Sequence, residues 1–149
     1  MRRKLSLLAI FGIAMGYLEG VVVVYLHEGL QVPSALPIAA VVKAMTERYL
    51  HIETGREVAT IVMLAAVALL ASASWRERAV AFLWAFAFWD LFYYVALYLL
   101  LRWPPTLTTM DVLFLIPVPW LAPVWVPLGI STATIVAIGV WERTHHREH

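Results

Sequence analysis

The stretch AVAFLWAFAFWDLFYYVALYLLL, residues 79–101, decides the fold. It carries one formal charge, Asp90, and neither proline nor glycine. A helix rises 1.5 Å per residue, so this stretch is long enough to cross the ~30 Å hydrocarbon core of a bilayer. Working outward, three more apolar stretches appear at about residues 5–26, 56–73 and 112–140. The chain therefore reads as all-α: a polytopic membrane helix bundle with four transmembrane helices, forming a single transmembrane domain over residues 1–149. Composition agrees. Of 149 residues, 62% are hydrophobic and 14% charged, with a mean hydropathy of +0.80, too little polar surface for a soluble domain.

Several function classes drop out. A net charge of +1 with no basic run argues against a nucleic-acid partner. The absence of cysteine excludes disulfides, thiolate metal sites, iron–sulfur clusters and cysteine nucleophiles. There is no GxSxG, no HExxH and no phosphate-cradling glycine loop. No cofactor is indicated, and the partners expected are the lipid bilayer and either a second copy of the chain or a larger membrane complex.

Arg2, Arg3 and Lys4 with Ala14-Met15-Gly16 have the outline of a secretory signal, but the apolar run continues to Leu26, so an uncleaved helix is expected. Arg2, Arg3, Lys4, Arg76, Arg78, Arg143 and Arg147 fall on one side of such a bundle. Lys43, Arg48, Arg56 and Arg102 fall on the other. The larger set sits tightly against helix ends, which predicts cytoplasmic termini. In the long outer loop, Ser34 and Pro37 can start a helix, and residues 39–50 read as an interfacial amphipathic helix feeding the second span. His145 and His146 lie in a short solvated tail.

Ionised side chains are costly inside a membrane, at about 2.5–3.5 kcal/mol each near mid-helix, and usually face a partner in the bundle interior. Glu19 flanks a doubled GxxxG ladder, Gly12-Gly16-Gly20, whose backbone can approach a neighbouring helix closely. His27 continues that stripe. Glu53, Arg56, Glu57 and Thr60 share one face of the second helix, where Arg56 can pair locally, neutralise Glu19 or hold an anionic group. Asp90 precedes Tyr93 and Tyr94 by three and four residues, which predicts a phenol donating to Asp90. Trp84, Trp89 and the neighbouring phenylalanines read as packing or lipid-facing residues. Asp111, at the end of Thr108-Thr109-Met110-Asp111, has capping-box spacing and reads as the start of the fourth helix. Pro117, Pro119, Pro123 and Pro127 then break that helix, freeing carbonyls of the kind that bind cations in transporters.

The expected binding residues are thus Glu19, Arg56, Glu57, Asp90 and Tyr94, gathered in one polar pocket in the outer half of the bundle. A weaker metal site is expected from His27, His51 and Glu53.

Three blocks carry a family resemblance: Glu53-Thr54-Gly55-Arg56-Glu57-Val58-Ala59-Thr60, Trp89-Asp90-Leu91-Phe92-Tyr93-Tyr94, and residues 111–120 from Asp111 to Trp120. They resemble an uncharacterised family of small bacterial multi-pass membrane proteins, over most of the chain. The resemblance implies a bacterial inner-membrane location and assigns no activity and no residue role.

Three functions fit these features: a pocket that binds or moves a small cation, proton or polar solute; an accessory subunit of a membrane complex; and an intramembrane enzyme acting on a lipid-like substrate.

Overall fold

The computed structural model describes residues 2–29 and 47–145. Its helices are α1 (Arg2–Gly29), α2 (Glu47–Ala71), α3 (Trp75–Leu101) and α4 (Trp125–His145), and each contains a segment long and apolar enough to cross a membrane. In α2 and α4 only 17% of the most apolar window is buried inside the bundle. Their apolar side chains therefore face outward as well as inward, as suits a helix long and apolar enough to cross a membrane.

α3 is the hub, touched by the other three helices. Its interface with α1 depends on the glycine ladder. A Cβ placed on Gly16 would sit 2.6 Å from the Trp89 carbonyl oxygen and 2.8 Å from the Tyr93 nitrogen, and one on Gly20 would sit 2.6 Å from the Ala96 Cβ. α1 thus packs directly on the backbone of α3. The pairing advances in the same direction along both chains, so the two helices run parallel. Small residues on α3, among them Ala81, Ala85 and Ala96, are buried. Leu5, Leu8 and Met15 of α1 meet Leu64 and Ala68 of α2 and Ile138 of α4 in the larger apolar cluster. Ser74 caps α3 by accepting from the Glu77 N–H at 3.3 Å. Across the same end of the bundle, the Arg76 guanidinium lies 5.5 Å from the Trp141 ring centroid.

The fourth apolar stretch departs from expectation. It forms no single helix over 112–140. Strand β1 (Met110–Phe114) and strand β2 (Trp120–Pro123) make an antiparallel hairpin, pairing Asp111 with Ala122, Val112 with Leu121 and Phe114 with Trp120. α4 begins only after it. Pro117 and Pro119, two apart, cannot both sit in a helix without leaving successive carbonyls unpaired, whereas a turn between strands requires no N–H from either. Pro127 falls in the first turn of α4, where N–H groups have no intrahelical acceptor, so it frees no carbonyl there. Asp111 is correspondingly a strand residue and caps no helix.

The hairpin re-enters the bundle. The Phe114 ring stacks on that of Phe86, with centroids 6.3 Å apart. Phe86 lies fifteen residues before the end of α3, about 22 Å down the helix. At its base, the Val124 N–H donates to Thr109 O at 3.0 Å and the Trp125 N–H to Leu107 O at 2.9 Å.

α2 runs unbroken over Glu47–Ala71, so residues 47–50 of the expected interfacial helix belong to α2. The remainder of that helix, with Ser34, Pro37 and Lys43, lies outside the described residues, as do His146 and Arg147.

Candidate functional site

The hairpin end of the bundle encloses a cavity of about 280 Å³, with walls drawn from all four helices and the hairpin.

On the α1–α2 side, Arg56 holds two carboxylates. Its Nε donates to Glu53 Oε2 at 2.9 Å, Nη2 lies 2.8 Å from the same oxygen, and Nη1 pairs with Glu19. Thr60 Oγ1, one turn further along α2, donates to the other Glu19 oxygen at 2.6 Å. Glu53, Arg56 and Thr60 share a face because they are three, four and seven residues apart on one helix. The planar guanidinium fork suits this double task. Glu19 reaches α2 because Gly16 and Gly20 bring α1 close to α3 beside it.

Glu57 turns toward the hairpin, where its Oε2 accepts from the Leu115 N–H at 2.8 Å. This satisfies a backbone donor at the inward tip of the hairpin. On α3, Asp90 accepts from the Ser131 hydroxyl of α4 at 2.7 Å. The Tyr94 hydroxyl donates to Asp111 Oδ2 at 2.7 Å, and Asp111 Oδ1 accepts from the Val112 N–H at 2.8 Å. The phenol predicted to serve Asp90 therefore serves Asp111.

The structure brings Glu19, Arg56, Glu57, Asp90 and Tyr94 to one cavity. Of the expected metal ligands, His27 and Glu53 line it. The His27 Nδ1 lies 2.9 Å from Val23 O, and Glu53 is taken by Arg56. His51 stands exposed elsewhere on α2, with its Nδ1 2.8 Å from Glu47 O. Among the described residues no three histidine or acidic side chains are arranged to hold a metal ion, because His51 occupies a different helix face.

No protein-family model, curated protein or solved structure matches the chain. The site must be read from its own chemistry.

Five carboxyl groups line the cavity (Glu19, Glu53, Glu57, Asp90 and Asp111) against one guanidinium. Asp111 and Ser131 escaped the sequence reading. Asp111 escaped because its spacing also fits a cap, and Ser131 because a serine in a membrane helix usually bonds its own backbone. The aromatic wall was legible as residues but not as a wall. Phe86, Trp89, Tyr93, Tyr94 and Trp120 all line the cavity. Phe86 and Trp89 meet edge-to-face at 5.2 Å, as do Tyr93 and Tyr94. A second, almost wholly apolar groove of about 440 Å³ lies on the other side of Tyr94, lined by Val95, Tyr98, Leu99, Pro104 and Leu128 among others.

Proposed function

We propose that this chain is an integral protein of the bacterial inner membrane, with both termini cytoplasmic, whose cavity binds or translocates a small cation, proton or polar solute. One observation carries the reading. Acidic groups distant in sequence, from α1, α2, α3 and the hairpin, line one cavity between helices whose outer surfaces are apolar. Burying that many carboxyls is expensive, and a packing seam needs none of them. Asp111, buried with only the Tyr94 hydroxyl and the Val112 N–H as partners, suits a proton or an exchangeable cation. The proposed orientation rests on Arg3, Lys4, Arg76, Arg78 and Arg143 at the end opposite the hairpin, against Arg48 and Arg102 at the hairpin end.

Asp90→Asn tests the reading. Asn keeps the shape and still accepts from Ser131 but removes the charge. Binding or flux of monovalent cations, measured on the full chain in mild detergent or in vesicles, should fall about tenfold or more, with an unchanged gel-filtration profile. Equal activity in wild type and variant would remove the proposal.

A second reading has one observation of its own. The apolar groove shares Tyr94 with the acidic cavity, which fits an enzyme that takes a lipid chain in the groove and acts on its polar end. Mass spectrometry of vesicle lipids incubated with the protein would show a converted species under this reading, and none under the first.

A further inference from the structure

The cavity's charge and its walls select among ligands. An anion faces five carboxyl groups, and the one lining guanidinium already bridges Glu19 and Glu53. A hard divalent cation wants six or more oxygens in a cage. Here no acidic trio converges among the described residues, and several carboxyl oxygens already accept from Ser131, Tyr94, Val112 and Leu115. A neutral solute would leave the buried Asp111 and the half-buried Asp90 with no cation, since among the described residues neither makes a salt bridge. What remains is a single positive charge on a body that is content against aromatic rings. Ring faces attract such a charge and tolerate its carbon substituents, whereas a compact hydrated ion gains nothing from them that offsets its lost water.

We infer that the cavity's ligand is a small organic ammonium ion, its charge held between Asp90 and Asp111 and its carbon body against Phe86, Trp89 and Trp120. This rests on the reading of the cavity as a binding site and names the ligand class. The division of labour on the walls follows. Arg56 bridges Glu19 and Glu53 and closes the α1–α2 side with one net negative charge, Glu57 holds the hairpin tip, and Asp90 and Asp111 add negative charge that no cation among the described residues meets. A cavity of about 280 Å³ accommodates a small quaternary or tertiary amine.

Calorimetric titration of the purified full chain in mild detergent tests this with three probes: choline chloride, its uncharged isostere 3,3-dimethylbutan-1-ol, and potassium chloride. Choline should bind saturably, the isostere about tenfold or more weakly, and Asp90→Asn and Asp111→Asn should each weaken choline without affecting the isostere. The comparison of probes on the wild-type chain stands even if a variant fails to fold. Equal affinity for choline and the isostere would overturn the inference while leaving a binding cavity. Potassium binding without choline binding would overturn it in favour of an inorganic ion. Binding of none of the three would overturn the inference and count against the binding reading as well.

Discussion

Arg56 does two jobs at the hairpin end. It pairs with Glu19 across the α1–α2 interface and with Glu53 on its own helix, and both carboxylates are buried. Replacing it with Met would keep the stem's packing and strand two buried negative charges. Breaking such a pair costs about 3–5 kcal/mol when fully buried. The Arg56 side chain is 30% exposed, so about 2–3 kcal/mol is expected here. Thermal unfolding in detergent should show a markedly lowered midpoint for Arg56→Met, partly restored by adding Glu19→Gln. An unchanged midpoint would mean the pairs are not made. At this scale the sequence was informative wherever a charge stood inside an apolar run: Glu19, Arg56, Glu57 and Asp90 declare themselves by their cost. Asp111 did not, because local spacing gave it a cheaper explanation and only the fold reveals its partner, Tyr94. The His27–His51–Glu53 grouping failed for the opposite reason. His51 and Glu53 are two residues apart, but the helix turns His51 away from the cavity that His27 and Glu53 line.

Among the elements, the glycines separate into two kinds. Gly16 meets the α3 backbone so closely that any side chain must push the helices apart, while Gly55, in the interior of α2, has nothing within 4 Å of an added Cβ. Gly16→Val should therefore lower the thermal midpoint or prevent folding. Gly55→Ala should leave the midpoint unchanged or raise it, by up to about 1 kcal/mol of helix propensity. The reverse ranking would rule out the α1–α3 seam. The GxxxG spacing made this seam legible, because small residues at four-residue intervals have few other uses in an apolar helix. The hairpin was not legible as a hairpin. Hydropathy counts residues 112–140 as one apolar run, and a kinked helix accounts for the same prolines. Pro117 and Pro119 lie two apart between short β-branched and aromatic runs, and that was the available signal.

For the whole molecule, length and composition sufficed to find four helices able to cross a membrane, because a ~30 Å apolar requirement is a one-dimensional property. Which faces meet is a three-dimensional one, and the cavity depends on it. Four helices alone would leave Asp90, Glu57 and Tyr94 facing an open cleft. The hairpin folding back to the level of Phe86 brings Asp111, supplies the Leu115 N–H and walls the space. The account therefore stands or falls on that fold-back, and the absence of any cysteine makes it directly testable. Val112 and Leu121 are register partners across the two strands. Nine residues apart on a helix they would be separated by about 13.5 Å, well beyond the ~7 Å that a disulfide spans. The measurement is mild oxidation of Val112→Cys/Leu121→Cys in membranes, followed by mass spectrometry. The hairpin predicts an intrachain disulfide in high yield. Two free thiols after oxidation would contradict it and take the cavity with it.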